Sequence, residues 1–145
     1  MDKKYICYCG LYCENCVVMV KIEPAAKVLY DEMKKAGFEE VIDFIPGGIG
    51  FWSFLKNMAE EGMCISCKDG SADPACAVRI CATEKNIEIC ALCEDYPCEK
   101  FNNHFGAHSI LKQDNVLFRE EGIHTWAKLQ DERLARGFTY TDNKE

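Results

Sequence analysis

Residues 64–98 read CISCKDGSADPACAVRICATEKNIEICALCEDYPC, seven cysteines in 35 residues. Cys64-x2-Cys67 and Cys90-x2-Cys93 are knuckles: the turn in a C-x-x-C segment aims both sulfurs at one point, and four such thiolates satisfy a tetrahedral zinc ion. Closing the two knuckles on one ion gives C-x2-C, a 22-residue spacer and C-x2-C, slightly longer than the common zinc-ribbon interval. Between them, Asp73-Pro74 is an N-cap and first-position signal for a helix running to about Asn86. Cys76 then lies in the first helical turn. Cys81, five residues on, is rotated by roughly 140° in a straight helix, so the two share an ion only if Cys76 precedes the regular helix. Tyr96-Pro97 opens another helix, with Cys98 and Glu99 in its first turn.

A second cluster, Cys9-Gly-Leu-Tyr-Cys13-Glu-Asn-Cys16, stands near the start of the chain. If Cys13–Ile22 is helical, Cys13 and Cys16 share one face. This triplet needs a fourth ligand, for which Cys76, Cys81 and Cys98 compete. A pairing of the triplet with a central knuckle stays open. The candidate metal ligands are therefore Cys9, Cys13, Cys16, Cys64, Cys67, Cys76, Cys81, Cys90, Cys93 and Cys98. Cys7 is left as a spare thiol. His104 and His108, spaced i, i+4, face one ion only in a regular helix, and with so many thiolates no histidine is needed.

The compartment decides between metal and disulfide. Eleven cysteines are an odd number, and no apolar segment follows the first lysines as in a secretory signal. We expect a cytoplasmic protein with reduced thiols and no membrane span. Seventeen basic residues against 24 acidic give a net charge of −7, which removes the electrostatic footprint of a nucleic-acid binder. The expected cofactor is zinc, with an iron–sulfur cluster as the alternative, because four-thiolate sites serve both. C-x3-C-x2-C is also the pattern with which radical S-adenosylmethionine enzymes hold a [4Fe–4S] cluster. Those enzymes set it in a large barrel of repeated βα units, which 145 mostly helical residues do not make.

Outside the cysteines, Pro24 starts a helix with Val28, Leu29, Met33 and Ala36 at helical spacing, and Gly37 stops it. Val41–Ile45, Pro46-Gly-Gly-Ile-Gly50 and Phe51 onward suggest strand, turn and helix. Ser53 stands where a dinucleotide fingerprint wants glycine, so the turn is assigned to feeding a core helix through Phe51, Trp52, Leu55 and Met58. Ser109 caps a helix ending at Gly122, and Ile123, Trp126, Ala127 and Leu134 mark a last one ending at Gly137.

The chain also resembles a family of uncharacterised cysteine-rich proteins of bacteria and archaea, grouped as a domain of unknown function. The likeness rests on Cys9-Gly-Leu-Tyr-Cys13-x2-Cys16 and Cys64-x2-Cys67. It continues through Arg79-Ile-Cys81-Ala-x-Glu84-Lys85, Ile87-x2-Cys90-Ala-x-Cys93 and Tyr96-Pro97-Cys98-Glu99-Lys100. Gly122-x3-Trp126, Gln130 and Arg133 complete it. The resemblance implies a small zinc-binding protein with no assigned reaction. Relatives carry a further cysteine motif after the last helix, where this chain has Gly137-Phe-Thr-Tyr.

The resulting expectation is a mainly α, small, compact, cysteine-rich helical domain with metal-tied loops and at most short strands. It is a single domain over 1–145, with a metal-binding part (1–98), C-terminal helices (99–137) and a polar tail (138–145). We expect a binding or scaffolding module with a protein partner rather than an enzyme, its exposed apolar surface lying around Phe51 and Trp52.

Overall fold

The computed structural model describes residues 3–63, 66–68 and 73–141, and it is mainly helical. The helices are α1 (Glu23–Lys35), α2 (Phe38–Val41), α3 (Gly48–Glu60), α4 (Ala77–Glu84), α5 (Glu99–Phe105) and α6 (Ser109–Ala135). The described residues contain no extended strand, only an isolated antiparallel bridge between Ile6 and Tyr12. No helix among them is long and apolar enough to cross a membrane. The chain divides into two compact units, one formed by residues 1–15 with 65–145 and the other by residues 16–64.

In the unit of residues 16–64, α1 packs on α3 through Ala26, Tyr30 and Leu55, with Met33, Trp52 and Met58 at the edges. Tyr30 and Trp52 stack with ring centroids 4.9 Å apart, and the Tyr30 hydroxyl donates to Glu60 at 3.1 Å. The Pro24 start and the stop before Gly37 agree with the sequence signals. The buried face does not. Val28 and Leu29 are exposed, and the α1 stripe that is buried runs Ala26–Tyr30–Met33, because the Tyr30 ring is held between Trp52 and Glu60. Trp52 is likewise half-buried rather than exposed. Val41–Ile45, expected to be extended, forms the end of α2 and a 3-10 turn at Ile42–Phe44. Here β-branched propensity loses to a chain folded tightly after Gly37, which has φ 76°.

The other unit has two adjoining cores. In one, Ile6, Tyr12, Ile89, Ala91 and Phe118 surround Trp126, whose ring meets Tyr12 and Phe118 edge-on at 5.8 Å each. In the second, Cys9, Val78, Phe101 and Leu111 are buried and are flanked by Cys7, Cys76, Cys90 and Cys98. α6 is two helices broken at Gly122, at the expected position, where φ 80° and ψ 175° suit only glycine. The break lets the second half fold back on the first. Asp114 Oδ2 accepts from Arg133 Nη1 at 2.6 Å and from Gln130 Nε2 at 3.2 Å. Gln130 Oε1 in turn accepts from Asn15 at 2.9 Å, and the Tyr140 hydroxyl accepts the buried Tyr12 N–H at 3.0 Å. The segment carrying Cys7, Cys9 and Cys13 is thereby fastened to the C-terminal helices.

Candidate metal centre

The ten described cysteines are all free thiols. Nine of them belong to the unit that contains α4–α6, where Tyr8 stands between two groups. Its N–H donates to Cys67 Sγ at 3.3 Å, and its carbonyl accepts the Cys90 N–H at 2.7 Å.

In the central group, Cys81, Cys90, Cys93 and Cys98 line one cavity of about 20 Å³, together with Ala82, Lys85, Ile87 and Tyr96. That volume suits a single water-sized guest. Cys81 comes from α4. Cys90 and Cys93 come from a 3-10 turn closed by Leu92 N–H to Ile89 O and Cys93 N–H to Cys90 O, both at 2.9 Å. Arg119 of α6 pins this turn, donating from Nη1 to the carbonyls of Ala91 (2.8 Å) and Cys93 (2.7 Å). Cys98 is the residue before α5, in extended conformation. Cys76 occupies the same position before α4 (φ −61°, ψ 106°), since Asp73 Oδ1 accepts from the Ala75 N–H and the helix begins only at Ala77. Cys76 thus precedes the regular helix, the one circumstance in which the sequence allowed it to share an ion with Cys81. Both Cys76 and Cys81 act electrostatically on Cys90. Burial first, then the charges of Cys98, Cys81, Cys93 and Cys76, push the Cys90 thiol up to about 12. Thiols crowded together in a buried place resist ionisation until a cation joins them.

The second group centres on Cys7. Its Sγ lies 3.3 Å from that of Cys13, and the thiols of Cys67 and Cys9 act on it electrostatically. The contact with Cys13 favours the Cys7 thiolate, but Cys67, Cys9 and burial outweigh it and raise Cys7 far above the ordinary thiol range. Cys67 goes the other way. The neighbouring Cys7 thiol lowers it most, and the Tyr8 N–H, Lys68 and Arg79 help against burial, giving about 6. The cause of the grouping is a tight loop in which Cys7 N–H reaches Leu11 O (2.8 Å) and Gly10 N–H reaches Cys7 O (2.9 Å), with Ile6 bridged to Tyr12. Gly10 has φ 95°, and a Cβ there would run into the Asn115 side chain. Asn115 sits so close because its Nδ2 donates to Cys9 O at 2.9 Å.

Several expected ligands are therefore grouped differently from the simplest spacing argument. Cys90 and Cys93 share their cavity with Cys81 and Cys98, and Cys67 accepts the Tyr8 N–H instead. Cys64 lies outside the described residues, and Cys16 is a half-buried member of the unit of residues 16–64. His104 and His108 are exposed. His104 is in α5 and His108 is outside it, so no regular helix aligns them. Cys7, set aside as a spare thiol because no C-x-x-C spacing includes it, lies against Cys13. Arg119 and Asn115 were missed because only the tertiary fold brings them to the loops they hold. Among the described residues no group of three or more Cys, His, Asp and Glu side chains stands already arranged to hold an ion.

A family model described as "Protein of unknown function (DUF3795)" matches residues 5–103. No curated protein and no solved structure matches the chain.

Proposed function

The chain belongs to that family of unknown function, whose description assigns no reaction, and on the chemistry of its thiols we propose that it is a structural zinc protein. The ion is held by Cys81, Cys90, Cys93 and Cys98. The observation that supports this is the lining of the 20 Å³ cavity by these four thiols, drawn from three different segments. Four thiolates complete a closed tetrahedral site, which leaves no position for a reacting water and suits a structural role. Zinc binding displaces the thiol protons, including that of Cys90, and the ion's charge offsets the burial and, after it, the neighbouring thiols' charges that keep Cys90 neutral. The ion would then tie α4, the Cys90–Leu92 turn and the start of α5 to one another.

The scaffolding part of this reading rests on the unit of residues 16–64, where Phe44 is 85% exposed, with Ile49 and Phe54 exposed nearby in sequence. Apolar surface of this kind is commonly covered by a protein partner. The test of the metal reading is elemental analysis of the purified protein and its Cys93→Ser variant. Zinc in the parent and one equivalent less in the variant support it. A brown protein carrying iron and sulfide, or the same zinc content in both proteins, overturns it.

A further inference from the structure

Away from the cavity of the four proposed zinc ligands, two sulfurs stand in direct contact: Cys7 Sγ and Cys13 Sγ are 3.3 Å apart. We propose that Cys7 and Cys13 form an oxidisable dithiol, which a hydroperoxide converts into an intrachain disulfide and a thiol reductant restores. The pair includes none of Cys81, Cys90, Cys93 and Cys98, so it does not depend on the zinc reading.

The contact is made by the fold, since five residues separate the two cysteines. The antiparallel bridge between Ile6 and Tyr12 brings together the residues that follow each of them, Cys7 and Cys13. Cys7 N–H to Leu11 O at 2.8 Å and Gly10 N–H to Cys7 O at 2.9 Å close the loop. Asn15 N–H to Tyr12 O at 3.0 Å then turns the chain into the 3-10 segment Cys13–Asn15. Both ends are anchored. Ile6 and Tyr12 enter the core around Trp126, the Tyr12 N–H is bonded to the Tyr140 hydroxyl at 3.0 Å, and Asn15 Nδ2 donates to Gln130 Oε1 at 2.9 Å. Between them Asn115 Nδ2 holds the Cys9 carbonyl at 2.9 Å. Anchoring of this kind makes the meeting of two reacting groups effectively unimolecular. A disulfide of about 2.05 Å asks the sulfurs to close by only about 1.2 Å, a movement within the reach of side-chain rotation.

Exposure sets the order of events. Cys13 is 7% exposed and Cys7 is half-buried, so a small hydroperoxide meets Cys7 first. The Cys7 sulfur attacks the terminal peroxide oxygen: an S–O bond forms, the O–O bond breaks, and the other oxygen leaves with the thiol proton as an alcohol, or as water from hydrogen peroxide. Cys13 Sγ then attacks Cys7 Sγ: the S–S bond forms, the S–O bond breaks, and hydroxide takes the Cys13 proton and departs as water. The two thiols have given two electrons to the O–O bond. Two reductant thiols return these electrons and the protons by thiol–disulfide exchange. Because Cys13 is already in contact with Cys7, it intercepts the sulfenic acid before a second peroxide carries it to the irreversible sulfinic acid.

The experiment treats the reduced full chain with one equivalent of hydrogen peroxide, then alkylates it with iodoacetamide and digests it with trypsin. Cleavage after Lys4 and Lys21 yields a peptide, residues 5–21, that holds Cys7, Cys9, Cys13 and Cys16. Alkyl groups on Cys9 and Cys16 alone, with two hydrogens lost and no tandem fragments from within residues 7–13, are expected. Dithiothreitol before alkylation should restore all four alkylated cysteines. In Cys13→Ser the Cys7 sulfenic acid should persist and be trapped by dimedone, whereas the parent traps little. The zinc content of Cys7→Ser should equal that of the parent. Cys7 bridged to Cys9, Cys16 or Cys67 overturns the proposal, as does a Cys7 that forms no disulfide. So does a folded Cys13→Ser protein that traps no more dimedone than the parent, or one equivalent of zinc lost in a folded Cys7→Ser protein, which would make Cys7 a ligand. Should either variant fail to fold, the disulfide map of the unsubstituted chain decides.

Discussion

Replacing Arg133 by methionine removes the cation that holds the two halves of α6 together and leaves Asp114 behind. Asp114 is 1% exposed and Arg133 14% exposed, and their 2.6 Å contact is an ion pair across the fold of that helix. After the substitution the Asp114 carboxylate keeps only Gln130 Nε2 at 3.2 Å, and its other oxygen already lacks a partner. Breaking a buried pair from one side costs about 3–5 kcal/mol, and the residual exposure of Arg133 places this case near 3 kcal/mol. Methionine retains much of the packing that the Arg133 side chain gives to the Phe138 ring, whose centroid lies 4.9 Å from the guanidinium carbon. The loss is therefore mainly electrostatic. With a urea slope of about 1.5–2 kcal/mol/M, the midpoint should fall by roughly 1.5–2 M. The assay is urea unfolding of the zinc-saturated protein, followed by fluorescence of buried Trp126 among other probes. Asp114→Asn in the same background provides the control. If the pair is responsible, the double variant loses less than the sum of the singles, by about 2 kcal/mol. Additive losses, or a cost below about 1 kcal/mol for Arg133→Met, would refute the reasoning.

Three further outcomes are expected. Gly10→Ala should cost about 3 kcal/mol, combining roughly 1–2 kcal/mol for a side chain at φ 95° with loss of the Asn115 bond to Cys9, and an unfolding midpoint within error of the parent would contradict it. In metal-stripped, reduced protein at pH 7, Cys67, lowered to about 6, is about nine-tenths thiolate, whereas Cys90, raised to about 12, stays protonated. Brief iodoacetamide treatment followed by peptide mass spectrometry should mark Cys67 well before Cys90, and equal labelling would show that the two surroundings do not differ in this way. Phe44→Ser, at the most exposed large apolar side chain described, should leave stability unchanged to within about 0.5 kcal/mol while reducing any self-association seen by sedimentation; a larger loss of stability would mean that Phe44 is packed.

Much of the helical plan is legible in residues that act locally. Pro24 and Gly37 bracket α1, and Gly122 breaks α6 because its left-handed backbone cannot be shared with a β-carbon. Facing directions are less legible, because they depend on which neighbour supplies the better contact. Val28 and Leu29 have the right spacing for a core stripe, yet Tyr30 is buried instead because Trp52 and Glu60 receive both its ring and its hydroxyl. The candidate site shows the same division. Knuckle spacing brings Cys90 and Cys93 together on one turn, as a local rule can. That Cys81 and Cys98 join them follows from where α4 and α5 dock, and that Cys7 meets Cys13 follows from the tight loop between them, anchored by Asn115. No spacing rule carries that information.

The central claim is that these thiols bind zinc, and metal content measured on freshly purified, unsubstituted protein tests it most directly. Inductively coupled plasma mass spectrometry, with protein quantified by amino-acid analysis, should give zinc at one ion per four-thiol site and a solution without visible colour. A chain with no bound metal and its thiols fully titratable would contradict the account.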